Sequence, residues 1–312
     1  MNTKQTLWGD KPYVSLDYTL KKTFGHKIYR IALDAGMTCP NRDGSLDTRG
    51  CIFCSAGGSG DFAASRSLSI SDQLDQGIKA VSTKRPCEGY IAYFQAFTNT
   101  YAPIDYLRKV YHEALSHPQV EVLSIATRPD CLSDPVLDLL TECNRIKPVW
   151  IELGLQTIHE DSAAYIRRGY TLHCFEKALR DLKARGLTVI VHVILGLPGE
   201  NKQDMKETVR YLANKNIDGV KLQLLHILQG TDLAIDYVAC PFPTLSQDEY
   251  CDLICDCLEL LPPTITIHRL TGDGPKKDLI APLWSSNKRT VLNQIHHRLK
   301  ERNTWQGRLY LP

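Results

Sequence analysis

The sequence contains no run of eighteen apolar residues, so no membrane-spanning helix and no membrane partner is expected. Its opening segment, MNTKQTLWGDKPY, lacks the apolar core of a secretory signal. There is no low-complexity linker, and no repeat beyond an alternation of short apolar and helical stretches. Histidine is absent between Cys39 and Gly60, where three cysteines crowd together, so a mixed cysteine–histidine zinc site finds no local fourth ligand. Net charge is also small, a formal +2.

At 312 residues, 43% hydrophobic and 23% charged, the chain is long enough to bury a large core. Eleven cysteines is many and odd, but a secreted protein built on disulfides would be far shorter; the expectation is a reducing, cytoplasmic setting. The small net charge hides an asymmetry. From Arg269 to Pro312 there are nine basic and three acidic residues, and Lys21, Lys22, Lys27 and Arg30 gather near the start. Such stretches either meet a polyanion or form solvated helical surfaces.

Six short apolar segments recur: Lys27 to Leu33, Tyr90 to Phe97, Glu121 to Ala126, Val149 to Leu155, Thr188 to Leu195 and Val220 to Ile227. They mostly lack strict alternation, as expected of strands covered on both faces. Between them lie stretches of helical spacing. Ile104, Leu107, Val110, Tyr111 and Leu115 share one face, and Phe175, Ala178, Leu179 and Leu182 another, stopped at Arg185-Gly186. Ser133 before Asp134-Pro135 is expected to cap a further helix. Strand and helix alternating at this spacing predict parallel β/α units with right-handed crossovers. Six units are too few for a closed eight-stranded barrel; a partly open barrel and a doubly wound sheet both satisfy the count. In either, chemistry collects at the C-terminal ends of the strands. The remainder reads as a small appendix: a helix over Leu245 to Leu261, a strand over Thr264 to Leu270, turn residues at Gly272 to Pro275 and a basic helix over Asn287 to Arg302.

CPNRDGSLDTRGCIFCSAGGSG, residues 39–60, follows the first strand. Cys51 and Cys54 form a C-x2-C pair, and Cys39 stands upstream of it with eleven residues between, across a turn-rich segment. Three cysteines bind zinc only with a further ligand or an open catalytic position. A [4Fe–4S] cluster held by three thiolates instead leaves one iron to a ligand that is not protein. CDLICDC supplies a second cysteine group, Cys251, Cys255 and Cys257. Helical spacing and neighbouring leucines mark it as core packing, the reading also given to Cys87, Cys131, Cys143, Cys174 and Cys240.

GHKIYRIALDAGMTCPNRDG, GCIFCSAGGSGDFA, YIAYFQAFTNTYAP, SIATRPDCL, WIELGLQTIHE, LGLPGE, LLHILQGT and HRLTGDGP, spread from about His26 to Gln306, resemble radical S-adenosylmethionine enzymes of the YtqA/YhcC-like family, related to the radical domain of Elp3 proteins. The resemblance implies an α/β fold: a partial (β/α)6 TIM-like barrel over residues 1–240, with a small C-terminal α+β extension over 241–312. It implies that Cys39, Cys51 and Cys54 ligate a [4Fe–4S] cluster, with Phe53 beside it, and that the open iron chelates S-adenosyl-L-methionine. One electron to the sulfonium then yields methionine and a 5′-deoxyadenosyl radical that abstracts a substrate hydrogen.

By the same resemblance, Gly57 and Gly58 offer peptide groups to the methionine moiety, Gln156 lies near the nucleoside, and Arg168 clamps the methionine carboxylate, with Arg167 as the alternative. Leu195, with Ile194, lines the adenine beside the LGLPGE turn, where Glu200 is expected to cap the following helix. Ala126 stands where Elp3 proteins commonly have glutamate, which makes Thr127, Arg128 or Asp130 the substitutes; Asp130 alternatively closes a turn. Gln95, Asn99, Tyr101, His192, His226, His268 and Arg269 are substrate-facing candidates, because polar groups at strand ends need partners if buried. His226 and His268 serve either as proton carriers or as histidines satisfied by backbone.

The function this implies is radical modification of tRNA, conversion of a 5-carboxymethylaminomethyl to a 5-aminomethyl group on wobble uridine. A flavodoxin or ferredoxin is the implied electron donor. The alternatives are a radical enzyme acting on a small metabolite and a non-catalytic iron–sulfur protein that binds tRNA.

Overall fold

The structure, a computed structural model, describes residues 5–58, 60–83, 87–272 and 274–311. In chain order it runs α1 (Leu16–Phe24), β1 (Ile28–Leu33), α2 (Ile70–Ser82), β2 (Gly89–Phe94), α3 (Ile104–Ser116), β3 (Val120–Thr127), α4 (Asp134–Ile146) and β4 (Val149–Gln156). It continues with α5 (Glu160–Tyr165), α6 (Leu172–Ala184), β5 (Thr188–Leu195), α7 (Lys202–Ala213), β6 (Gly219–Leu224), β7 (Ile227–Leu228) and α8 (Asp232–Ala239). It ends with α9 (Gln247–Leu260), β8 (Thr266–Arg269), β9 (Leu279–Ala281) and α10 (Lys288–Glu301).

Seven strands pair in the order β1-β2-β3-β4-β5-β6-β8. Neighbours in the sheet follow one another along the chain, with no reversal of the kind that makes a switch point in doubly wound folds. The sheet is therefore that of a partial (β/α) barrel, flanked by helices, and the ambiguity left by periodicity is resolved.

The chain divides into two compact units: Leu20–Gly154 with Gly169–Ile190, and Met1–Thr19 with Leu155–Arg168 and Val191–Pro312. In the first, β1 to β4 are parallel, with Leu33 beside Phe94, Phe94 beside Ile125 and Ile125 beside Ile151. This row faces the helices: Phe94 meets Tyr111 of α3 edge-on with ring centroids 5.4 Å apart, and Ile31, two residues before Leu33, lies against Gly77 of α2. Because side chains alternate along a strand, Arg30, Tyr93, Ser124, Trp150 and Glu152 occupy the opposite face. Ser133 sits at the N-cap of α4, but its side chain makes no capping hydrogen bond; Pro135 in the first turn carries the start instead.

In the second unit, the segment expected to be one strand from Val220 to Ile227 breaks at Leu225-His226. Its first part, β6, pairs with β8 in parallel, and β7 pairs with β9 in a separate antiparallel ladder. The strand expected in an appendix thus extends the main sheet. The expected turn at Gly272 to Pro275 includes Asp273, which lies outside the described residues. Cys251, Cys255 and Cys257 are buried in α9, as packing requires, whereas Cys240 is exposed and has no packing role.

The basic excess after Arg269 is partly neutralised within this unit. Arg298 of α10 pairs with Asp248 of α9 at 2.8 Å, and Arg302 with Asp252 at 2.8 Å and Asp256 at 2.7 Å. Arg30, counted among the basic residues near the start, belongs to the sheet, 3.3 Å from Glu152.

Candidate cysteine-lined cofactor site

The loop after β1 is tied at both ends to the loop after β2. Gln95 N donates to the Leu33 carbonyl oxygen at 3.2 Å, Thr98 N to that of Thr38 at 3.2 Å, and Phe97 N to that of Gly58 at 2.8 Å. Within it, the Cys39 carbonyl oxygen accepts from Arg42 N at 2.8 Å and Asp43 N at 3.2 Å, and Gly50 N returns to the Asn41 carbonyl oxygen at 2.6 Å. That closure brings Cys51 back towards Cys39. A tight turn, Cys54 N to the Cys51 carbonyl oxygen at 3.0 Å, then sets the C-x2-C pair.

Two side chains brace the loop. Arg42 Nη2 donates to the carbonyl oxygens of Cys54 at 3.0 Å and Ser55 at 2.7 Å, with its guanidinium 5.5 Å from the Phe97 ring centre. Gly50 must be glycine here: its φ is +81°, and a Cβ would stand 2.8 Å from Arg42 Nε. Asn41, 1% exposed, donates from Nδ2 to Cys51 Sγ at 3.4 Å. Gly58 has φ +57°, and a Cβ there would collide with the Phe97 ring. Phe97 itself is held at φ +60°, sparsely populated for an aromatic residue. Gly57 closes the next turn, its carbonyl oxygen accepting from Gly60 N at 2.8 Å.

None of the three cysteines is in a disulfide. Burial pushes the Cys51 thiol up to about 12, Cys54 and Cys39 add to the rise, and Arg128 and the Asn41 amide oppose it. Burial likewise raises Cys54, opposed by Arg42. Cys51 and Cys54 therefore disfavour free thiolates, a setting in which bound metal, and not the Arg42 and Arg128 guanidinium groups alone, would hold them deprotonated. Among the described residues, His159, Asp204 and Glu207 bring candidate metal-ligand atoms within 4.8 Å of one another. Three thiols on one loop, none in a disulfide, are by their chemistry the donors that a [4Fe–4S] group takes.

Around this loop, Arg128 donates to Asp130 in a fork, Nε to Oδ1 at 2.9 Å and Nη2 to Oδ2 at 2.7 Å, with its guanidinium 4.9 Å from the Tyr170 ring centre. Burial alone would lower the Arg128 pKa; the Asp130 carboxylate more than reverses this, so the cation persists beside the thiols. Asp130 thus holds Arg128, and the turn that follows is closed by backbone, Cys131 N donating to the Arg128 carbonyl oxygen at 3.3 Å. Thr127 ends β3, buried, its hydroxyl 2.5 Å from that of Thr100. Asn99 is fully buried and donates to the Ala126 carbonyl oxygen at 3.0 Å.

In the second unit, Gln156 ends β4 at φ +68°, and its buried Oε1 has no hydrogen-bond partner among the described residues. Arg168, 1% exposed, donates from Nη1 to the Leu155 and Thr157 carbonyl oxygens at 3.2 and 2.7 Å and from Nη2 to Glu160 at 3.1 Å. It pins the loop that follows Gln156. Arg167 pairs with Asp232. Leu195 is buried at the end of β5, its carbonyl oxygen accepting from Leu225 N at 2.9 Å. His226 Nε2 lies 3.0 Å from Ser285 Oγ, beneath Gly272, where a Cβ would collide with the ring. Arg269 donates to Gln223 Oε1 at 3.0 Å, and His268 precedes it in β8. Glu200 does not cap α7. Asn201 does, in a capping box with Asp204, while burial raises the Glu200 pKa against the opposing Thr157 and Ser162 hydroxyls. The His159 group is explained by the same cap, since Asp204 Oδ2 accepts from Asn201 N at 2.8 Å and His159 Nε2 lies 2.9 Å from the Asp204 carbonyl oxygen.

Sequence reasoning took Asn41 for a turn residue only and passed over Arg42, since neither carries a periodic signal inside a loop. It also passed over Arg30 with Glu152, for which a signal exists: single charges interrupting the apolar strands IYRIAL and WIELGL.

A singly wound parallel β/α sheet whose first strand runs into a loop of three half-buried cysteines, none in a disulfide, defines a partial-barrel enzyme with its cofactor loop after β1. The chain belongs to the Radical SAM superfamily. The superfamily description matches residues 48–212, which include Cys51 and Cys54, and that of the Radical SAM C-terminal domain matches 217–301. It is 44% identical to the uncharacterized protein YtqA of Bacillus subtilis strain 168, over 96% of this chain and 94% of that one. It is 34% identical to protein YhcC of Escherichia coli K12, over 94% and 95%. Among solved structures, the archaeal Elp3 of Methanocaldococcus infernus, lacking its N-terminal residues 1–46, shares the fold with a TM-score of 0.68 at 17% identity, covering 89% of this chain and 64% of that one. The chain thus spans less than two thirds of the Elp3 chain. Superfamily membership makes it an S-adenosylmethionine-cleaving enzyme and implies use of that cofactor with a [4Fe–4S] cluster. No helix among the described residues is long and apolar enough to cross a membrane.

Proposed function

We infer that this chain is a radical S-adenosylmethionine enzyme acting on tRNA, removing the glycine-derived part of a 5-carboxymethylaminomethyl group on wobble uridine to leave a 5-aminomethyl group. The observation that carries the radical reading is the loop of three cysteines outside any disulfide, braced by Arg42 and Asn41, within a superfamily match. The tRNA reading is supported by the motif resemblance to the radical domain of Elp3 proteins, whose fold this chain shares.

In this reading Cys39, Cys51 and Cys54 hold the cluster, and the Gly57-Gly58 peptides meet the methionine part of the cofactor. When bound, cluster and cofactor supply a 5′-deoxyadenosyl radical that takes a hydrogen atom from carbon. The chain's own part is positional. Arg128, kept cationic by Asp130, balances the negative charge gathered on the cysteine sulfurs. Gln156 offers an amide oxygen with no other hydrogen-bond partner among the described residues, suited to a ribose hydroxyl. Arg168 holds the loop after Gln156, Leu195 adds an apolar wall, and Thr127 fixes the end of β3. Gln95, His226, His268 and Arg269 face the substrate, and a flavodoxin or ferredoxin supplies the electron.

The test is anaerobic reconstitution followed by measurement of 5′-deoxyadenosine with and without tRNA bearing the carboxymethylaminomethyl group. Stimulated turnover together with loss of that nucleoside is the expected result. Turnover indifferent to tRNA, with nucleosides unchanged, would overturn the reading.

A further inference from the structure

Within the second unit, one imidazole and three carboxylates gather about the start of α7. His159, at the N-cap of α5, brings a ring nitrogen within 4.8 Å of a carboxylate oxygen from Asp204 and another from Glu207, and those two oxygens are equally close to each other. Glu200, just ahead of the helix, feels the charges of His159 and Asp204. The segment after β4 is tied to α7 at this place, with Ile158 N donating to Thr208 Oγ1 at 3.3 Å and His159 Nε2 to the Asp204 carbonyl oxygen at 2.9 Å.

The helix cap assembles this group but uses only part of it. Asp204 accepts from Asn201 N through Oδ2, and Glu207 accepts from Gln203 Nε2 through Oε1 at 3.1 Å, so each carboxylate keeps its second oxygen for another ligand. Because a carbonyl oxygen only accepts, Nε2 holds the His159 proton, and the neutral ring carries its lone pair on Nδ1. A ring fixed through one nitrogen by backbone is the arrangement that orients histidines on metal ions. The negative charge is also left without a cation. Among the described residues none of the three carboxylates has an ion pair, and Lys206, between Asp204 and Glu207 in α7, lies 3.9 Å from Asp256 instead. Glu200 Oε1 is buried with no hydrogen-bond partner among the described residues. Like charges crowded in this way disfavour one another unless a cation joins them.

The geometry points to a divalent-cation site ligated by His159, Asp204 and Glu207, with Glu200 adding negative charge beside it. Imidazole together with carboxylates selects a first-row transition ion such as manganese or zinc over magnesium, which prefers oxygen and keeps its waters. The bound cation clips the segment that carries Gln156 to α7 and so stiffens the second unit. The site uses none of the cysteines, and it stands whether or not the substrate is tRNA.

Manganese is the probe, because thiolates are poor ligands for it. The electron paramagnetic resonance signal of free Mn2+ is titrated anaerobically against the reconstituted full chain and its Glu207→Gln and His159→Gln variants, with iron content matched. The wild type takes up a single equivalent, and its melting temperature rises with the ion. Either substitution weakens binding at least about 10-fold and removes the rise at the same concentration. Glu207 is exposed and lies outside the cap, so Glu207→Gln decides the matter if His159→Gln does not fold. Absence of protein-bound Mn2+ in the wild type at about 1 mM, or equal affinity in wild type and Glu207→Gln, overturns the site. Mg2+ displacing Mn2+ at equal concentration overturns the imidazole ligand.

Discussion

Arg42 holds Cys54 by its backbone: Nη2 donates to the Cys54 carbonyl oxygen at 3.0 Å, and again to that of Ser55 at 2.7 Å. A cation bonded to two successive carbonyls fixes the C-x2-C turn before any metal arrives. Hydrogen bonds to charged groups contribute about 1.5–3 kcal/mol. Arg42→Gln should therefore lower the iron retained after desalting and broaden the electron paramagnetic resonance of the reduced cluster, with Arg42→Lys intermediate. Retention and spectrum equal to wild type in both variants would mean that the turn holds itself.

The two cysteine groups should separate cleanly. Cys51→Ala removes a thiol from the loop and is expected to abolish stable iron binding and 5′-deoxyadenosine formation. Cys255→Ala, deep in α9, should keep full iron content and cost about 1 kcal/mol of stability from lost packing. Iron analysis and chemical denaturation of the two variants side by side check both statements.

Gly58→Ala puts a methyl group into the Phe97 ring at a backbone angle that disfavours any side chain. A cost of about 1–3 kcal/mol in the loop follows. The tie from Phe97 N to the Gly58 carbonyl oxygen should loosen, seen as faster amide exchange at Phe97 and Thr98 while the strands keep their protection.

Alkaline stability follows from buried thiols away from the cluster loop. Burial pushes Cys143 and Cys255 from 9.0 up to about 12. Between those values the folded chain keeps protons that the unfolded chain has released, so stability falls as pH rises; below pH 9 both states are protonated and these groups contribute no slope. The melting temperature under reducing conditions should decline from about pH 9 upward, less steeply in Cys255→Ala. An unchanged slope in that variant would assign the decline to other groups.

The βα alternation was readable because strands covered on both faces leave unbroken apolar runs, and α3 and α6 lie where helical spacing placed them. The break at Leu225-His226 was not readable, because Lys221 and Gln223 interrupt the apolar run just as His226 does, and only pairing with β9 separates β7 from β6. Nor was the joining of β8 to β6, a choice of neighbour that no local pattern encodes. Within the loop after β1, the spacing of Cys39, Cys51 and Cys54 made them candidates from the sequence alone. Arg42 and Asn41 were not candidates, since which loop side chains turn back on the backbone depends on a closure that forms only in the fold. Arg30 was misjudged as surface charge because composition counts a lysine at Lys27 and an arginine inside β1 alike.

The ladder between α9 and α10 bears on any meeting with nucleic acid. With Arg298 and Arg302 already matched to Asp248, Asp252 and Asp256, the cations of this region left to displace counterions from a phosphate backbone are chiefly exposed ones such as Lys276, Lys277, Arg289 and Lys300. Each phosphate neutralised steepens the fall of log affinity with log salt by about 0.7 to 0.9. A shallow ionic-strength dependence follows, and with it a docking that leans on the shape and base chemistry of the nucleic acid more than on its polyelectrolyte character.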